Sequence, residues 1–224
     1  MTQRQPGRSF YATPLVPALS EDQSGGVEIG GFLLPAKYRT LVIDPPWDYS
    51  NTTFRSGAGH GAKYANRPLP YPSMSLDELK ALPVSALAED DAALFLWTTS
   101  RYLPQAFDVV KAWGFRYVQM LVWAKPGPMP MAMPFAPPAT EFLLGCKKGN
   151  PPRKGAFPSS CLVLPQGRHS AKPEAFLDYI EDVGHPPYLE MFARRQRLGW
   201  GTWGNECFIA DGLPSNFSQE RNGT

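Results

Sequence analysis

Apolar runs of strand length recur along this chain with helix patterns between several of them, and no other feature narrows the fold as far. Residues 40–43, 92–97, 117–123, 140–146 and 188–192 are short runs rich in Leu, Val, Ile and aromatic side chains, and 200–203 is a further candidate. Residues 75–82 open with Ser75 followed three positions later by Glu78, the pattern of a capping box and so of a helix start. Residues 103–113 are amphipathic and stop at Gly114, and residues 173–183 carry a proline in the first turn, where its missing N–H costs nothing. Strands separated by helices of this length predict βαβ units, hence an α/β domain with a mostly parallel sheet and helices on both faces. Such sheets place ligands beyond the carboxyl ends of their strands.

The chain has 224 residues, of which 25 are Pro and 20 are Gly, so a single domain with many loops is expected. Residues 1–35 read as a peripheral segment, 36–212 as the folded domain and 213–224 as a flexible tail. The three cysteines, Cys146, Cys161 and Cys207, are odd in number and widely spaced. They predict neither a disulfide framework nor a zinc site, but reduced thiols in a cytoplasmic protein. His60, His169 and His185 share no ligand spacing, so no metal is expected. No apolar run approaches the ~20 residues that span a membrane, and the first residues lack the apolar core of a signal peptide.

The strand at 40–43 ends on Asp44-Pro45-Pro46-Trp47. The two prolines cannot donate to a ladder, so a bland reading is a strand-ending turn. A sharper one is chemical. An exocyclic base amine is a poor nucleophile because its lone pair is delocalised into the ring. An enzyme that methylates it must accept hydrogen bonds from the amino protons and hold the nitrogen in line with a methyl donor. Asp44 supplies a carboxylate, the backbone of Asp44, Pro45 and Pro46 supplies carbonyls whose aim proline fixes, and Trp47 supplies an aromatic face for an extruded base. Two stretches without Asp or Glu reinforce a polyanionic substrate. Residues 49–75 carry Arg55, Lys63 and Arg67 after Tyr49, with Gly57, Gly59 and Gly61 giving a loop able to move, and residues 142–173 carry Lys147, Lys148, Arg153, Lys154, Arg168 and Lys172. Following the catalytic strand and preceding the last helix, both are expected at the mouth of the site as phosphate contacts.

Six segments in order resemble the MT-A70 family of adenine-N6 methyltransferases over roughly residues 40–206: 41–47 (LVIDPPW), 71–79 (YPSMSLDEL), 94–99 (LFLWTT), 141–149 (EFLLGCKKG), 169–173 (HSAKP) and 190–194 (EMFAR), with Gly204-Asn205-Glu206 closing the series. The resemblance implies a Rossmann-like methyltransferase domain in permuted order, the catalytic motif preceding the Phe192 cofactor strand. It implies S-adenosyl-L-methionine as cofactor. Lys172 would meet its carboxylate near a helix start, Asp44 its amine, Glu190 its ribose hydroxyls, and Phe192, Arg194, Asn205 and Glu206 would line the adenosine pocket. Nucleic acid, DNA or RNA, would be the substrate, bound through Trp47, Tyr49 and the basic residues above. A homo- or hetero-dimer is compatible with this reading. Ala193 stands where the family often has Gly, Gln196 and Arg197 replace a His-Asn pair of some eukaryotic members, and the loop at 50–69 is longer than theirs, as in bacterial and phage relatives. Two alternatives stay open: cytosine-N4 methylation, which needs the same amine chemistry, and a non-catalytic nucleic-acid-binding subunit on the same fold.

Overall fold

The computed structural model describes residues 26–29, 32–35, 37–49, 73–128, 135–167 and 171–204. The apolar runs become strands, mostly a little longer than their sequence limits: β3 (Tyr38–Ile43), β4 (Ala88–Thr98), β5 (Arg116–Ala124), β6 (Thr140–Lys148), β7 (Cys161–Val163), β8 (Tyr188–Met191) and β9 (Trp200–Trp203). They form one seven-stranded sheet in the order β7-β5-β6-β4-β3-β8-β9. A hairpin of β1 (Gly26–Ile29) and β2 (Phe32–Pro35) precedes it. That hairpin lies in the segment read as peripheral, yet Val27 and Leu34 are buried in the core. It is too short to show a sustained period, which is why it was not legible.

Helices α1 (Leu76–Ala81), α2 (Val84–Leu87), α3 (Leu103–Ala112) and α4 (Ala175–Val183) complete the unit. The capping box at α1 is real: the Ser75 hydroxyl accepts from the Glu78 N–H, and the Ser75 N–H donates to Glu78 Oε2 at 2.7 Å. Gly114 follows α3 at φ 78°, the left-handed conformation that glycine adopts without a Cβ clash. Helix α4 begins two residues later than the proline pattern suggested. Pro173 lies ahead of it and its carbonyl accepts the Phe176 N–H.

Alternation along the central strands divides the core. Leu41, Ile43, Leu94 and Leu96 face one way and pack with buried side chains of α1, α2 and α3, whereas Val42, Phe95 and Trp97 face the other way and pack with Phe176, Leu177, Ile180 and Val183 of α4. Helices therefore cover both faces, as successive side chains on a strand must point to opposite sides.

Strand direction decides where a site can form. β3 runs parallel to β4 and β8, β8 to β9 and β5 to β7, while β6 is antiparallel to both of its neighbours, β4 and β5. The β5–β6 connection is Pro-rich, a composition that disfavours a crossover helix, and the chain returns as an antiparallel pair. From β3 the chain leaves to β4 on one side, and only after α4 does β8 dock on the other. The carboxyl end of β3 is thus a topological switch point, where doubly wound sheets open a crevice.

Candidate active site

Asp44 stands at that switch point, immediately after β3. Proline has no N–H, so the segment after Asp44 offers acceptors only. The Pro45 carbonyl closes a tight turn by accepting the Trp47 N–H at 2.9 Å, and the Pro46 carbonyl accepts the Met74 N–H at 2.9 Å. A parallel bridge between Trp47 and Met74 and a bond from Ser73 Oγ to Asp48 Oδ1 at 3.1 Å hold together the two ends of the loop at 50–72.

Lys172, just before α4, reaches Asp44 from 128 residues away. Its Nζ donates to Oδ1 at 2.8 Å and to Oδ2 at 2.7 Å, and lies 3.2 Å from Glu141 Oε2. Glu141 Oε1 in turn accepts from Lys125 Nζ at 2.5 Å. Burial works to lower the Lys172 ammonium pKa, but Asp44 and then Glu141 outweigh it and hold it above its ordinary value. Burial likewise works to raise Glu141, and Lys172 and Lys125 hold it below the usual carboxylate range.

Glu190 lies on β8 opposite Val42 of β3. Its Oε2 is buried with no hydrogen-bond partner among the described residues. Burial first, then the neighbouring Asp44 charge, push its carboxyl up to about 7, against a smaller pull from Arg197. An orphaned buried acceptor beside a switch point needs hydroxyl or amine donors from a ligand, and a ribose diol supplies two. Phe192, directly after the strand, has φ 62°, a left-handed conformation that costs a non-glycine residue of order 1–3 kcal/mol and recurs at ligand sites. The Phe192 ring packs edge-on against Trp203. A Cβ on Gly204 would collide with the backbone of Ala193, so the absence of a side chain at Gly204 lets the ends of β8 and β9 meet.

Trp47 is packed into the fold. It is 4% exposed, its Nε1 donates to the Trp97 carbonyl at 3.2 Å, and one face stacks on Tyr102 at 5.1 Å. Tyr49 meets Tyr102 edge-on and its hydroxyl bonds the Thr99 hydroxyl at 3.1 Å, its pKa pushed up to about 12 by burial. The α3 start brings Tyr102 over the motif, and the pattern of the motif itself gave no sign of this. Trp47→Ala is therefore expected to destabilise the fold by about 3–5 kcal/mol through the cavity it leaves. Chemical denaturation reads this directly, and a loss under 1 kcal/mol would contradict the packing.

The second basic stretch is corrected. Because β6 runs antiparallel, its amino end carries Glu141 to the site and its carboxyl end carries Lys147 and Lys148 to the opposite edge, where they pair with Ala93 and Ala92 of β4, level with Thr40 rather than with Ile43 of β3. Lys147 bonds Asn150, and Lys148 bonds the carbonyls of Ser85 and Ala88. Lys154 bonds the Glu181 carbonyl and the Tyr188 hydroxyl at the start of β8, with Arg153 beside it. These four cations do not border the site. Lys172 does. Arg197 turns to Glu181 and Asp178 of α4. Arg194 is half-buried next to the end of β8. Arg55, Lys63, Arg168, Asn205 and Glu206 lie outside the described residues.

Glu141 and Lys125 had no role in the sequence reading. One signal pointed to the first: Glu141 is the single acid between Asp108 and Glu174, and it stands near the start of an apolar strand.

A family model described as MT-A70 matches residues 38–206. Type II methyltransferase M.MunI of a Mycoplasma species is 33% identical over 188 residues, covering 76% of this chain and 78% of its own length. An N(6)-adenosine-methyltransferase MT-A70-like protein of Drosophila melanogaster is 28% identical over 180 residues, covering 76% of this chain and 27% of its own. An N(6)-adenine-specific methyltransferase of Mus musculus is 30% identical over 190 residues, 75% of this chain and 37% of its own.

Proposed function

This chain belongs to the MT-A70 family, and from that premise we propose that it transfers a methyl group to the N6 amine of adenine in nucleic acid, using S-adenosyl-L-methionine. The observation that carries the proposal is the juxtaposition, at neighbouring strands, of an Asp44 carboxylate fixed by Lys172 with Glu190, whose buried Oε2 has no partner among the described residues. Bound there, S-adenosylmethionine supplies an electrophilic sulfonium methyl. Glu190 would accept the ribose hydroxyls, Lys172 would face the carboxylate as a positive charge while its donors stay on Asp44 and Glu141, and Asp44 would face the amine. Phe192 and Arg194 line the adenosine side, with Asn205 and Glu206 beyond Gly204.

Asp44 retains lone pairs after its two bonds to Lys172, and the Pro45 carbonyl retains one after Trp47. Together they accept both amino protons of the target, which withdraws the nitrogen lone pair from the ring and aims it. Pre-aimed acceptors do this without reorganisation in the reaction step. Trp47, buried against Tyr102, walls the target site. Arg55, Lys63 and Arg168 are the phosphate contacts of this reading. The folded catalytic unit is 36–212 with the β1–β2 hairpin added. Among the described residues Cys146 and Cys161 are free thiols, which supports a cytoplasmic setting, and no described helix is long and apolar enough to cross a membrane.

A tritiated-methyl assay on single- and double-stranded DNA and RNA, followed by nucleoside mass spectrometry, tests the proposal. N6-methyladenine is the expected product. N4-methylcytosine would overturn the base assignment. A protein that neither binds cofactor nor transfers methyl would be the non-catalytic subunit instead.

A further inference from the structure

Two buried charged side chains at the same strand edge, Glu141 and Lys125, are outside the set that holds cofactor and target. Glu141 lies near the amino end of β6 and Lys125 directly follows β5, and the two strands pair with Trp123 opposite Glu141. Their side chains are 13% and 9% exposed. Lys125 Nζ is 2.5 Å from Glu141 Oε1 and lies 4.7 Å from the centroid of the Trp123 ring. Lys172 Nζ is 3.2 Å from Glu141 Oε2 and 5.3 Å from the centroid of the Trp97 ring. The result is a row of alternating charge, Asp44, Lys172, Glu141, Lys125, backed by two indoles. An ammonium has three N–H donors, and the oxygens around Lys172 number three: both of Asp44 and one of Glu141.

Buried ion pairs are a poor source of stability, since apolar residues of similar volume often serve a fold as well or better. Their concentration beside a catalytic carboxylate therefore points to a task. We infer that Lys125 and Glu141 form a positioning pair: Glu141 takes the third donor of Lys172 and so fixes the ammonium against Asp44, and Lys125 keeps the Glu141 carboxylate in place to do it. This inference rests on the function proposed above.

Lys125 is the necessary partner because of the charge count. With it, two carboxylates and two ammoniums balance. Without it, Asp44 and Glu141 share one ammonium at a desolvated edge. Glu141 then either takes up a proton or turns away, and Lys172 loses an acceptor in both cases. The ionisable groups facing Glu141 among the described residues are Lys125 after β5, Lys172 before α4, Asp44 beyond it, and the Tyr49 hydroxyl. Two of them, Lys125 and Lys172, hold its carboxyl down against burial. Loss of Lys125 removes part of that hold and lets Glu141 protonate at higher pH.

The test uses the full chain with Lys125→Met, Lys125→Arg, Glu141→Gln and the Lys125→Met/Glu141→Gln double variant. Methyl transfer to an adenine-containing oligonucleotide and S-adenosylmethionine titrations are followed from pH 5.5 to 9. Lys125→Met is expected to lower kcat about tenfold or more at pH 7 and to move its acid limb upward by about one pH unit. Lys125→Arg should restore the wild-type profile. The double variant should be no worse than Glu141→Gln alone, because the two residues act through one contact. A wild-type pH profile with kcat within about twofold in Lys125→Met, or additive losses in the double variant, would overturn the pair. A purely structural role would lower the unfolding temperature without moving the acid limb. Absence of adenine methylation by the wild type would overturn the function itself. In that case the cofactor titrations still decide the pair, because its loss should weaken S-adenosylmethionine binding in Lys125→Met and spare it in Lys125→Arg.

Discussion

Asp44→Ala is expected to lower methyl transfer by about a thousandfold or more while the protein stays folded. The side chain projects from the end of β3 and is 26% exposed, so its removal opens no core cavity. Lys172 keeps its bond to Glu141, which Lys125 balances. What disappears is the acceptor for the target amine and the anchor for two of the Lys172 donors. Hydrogen bonds to charged groups contribute about 1.5–3 kcal/mol each, and each 1.36 kcal/mol is a tenfold change in rate. Two such losses felt at the reacting amine give the expected magnitude. Asp44→Asn discriminates further. It preserves shape and one acceptor but points an amide NH2 toward Lys172 Nζ, a donor facing a donor, and should be nearly as inactive. Single-turnover transfer rates and thermal unfolding, measured together on both variants, decide the matter. Folded Asp44→Ala protein that transfers methyl within about tenfold of wild type would remove Asp44 from the mechanism.

Glu190→Gln should stabilise the cofactor-free protein and weaken cofactor binding at the same time. The Glu190 carboxyl is raised from 4.5 to about 7 in the folded chain. Between these values the folded state holds a proton that the unfolded chain has released. The contribution of Glu190 to stability is therefore fully present below about pH 4.5 and is lost as pH rises through about 7. A shift of this size corresponds to about 3 kcal/mol. Glutamine does not ionise, so Glu190→Gln should melt several degrees higher than wild type at pH 8, the two converging near pH 5. Binding runs the other way. An ionised carboxylate is the stronger acceptor for two ribose hydroxyls, so wild-type affinity for S-adenosylmethionine should rise as pH increases through about 7. Glu190→Gln should lose about 10- to 100-fold at pH 8 and most of that pH dependence. Calorimetric titrations at pH 6 and 8, with melting curves at the same values, measure both effects. Equal pH dependence in the two proteins would show that Glu190 does not meet the ligand in its ionised form.

The stabilising and the functional consequences at Glu190 share one origin. A buried acceptor with no partner among the described residues is a cost to the empty fold and an advantage to the loaded one. Stability given up at a binding site in this way is common in natural proteins.

Much of this was legible in the chain because it is local. Tyr38–Ile43, Ala88–Thr98 and Arg116–Ala124 form strands where the apolar runs fall. Ser75 and Glu78 cap a helix three residues apart, and Gly114 ends another. Asp44 follows an apolar strand into two prolines, and that adjacency is enough to place a carboxylate at a strand end. Residue spacing sets these features, since a helix or strand brings near neighbours into fixed relation whatever surrounds it.

Strand order and direction are not local, and the tertiary structure decided them. The reversal of β6 delivered Glu141 to the site and carried Lys147 and Lys148 to the far edge, so charged residues of one strand ended at opposite edges of the sheet. The docking of β8 beside β3 placed Glu190 within the field of Asp44. The start of α3 brought Tyr102 over Trp47 and buried the indole against it. The Asp44 carboxylate at the end of β3 was determined by the sequence alone. Its grip by Lys172, and the hold of Glu141 and Lys125 behind it, depend on side chains up to 128 residues apart, which meet only once the direction of each strand has been set.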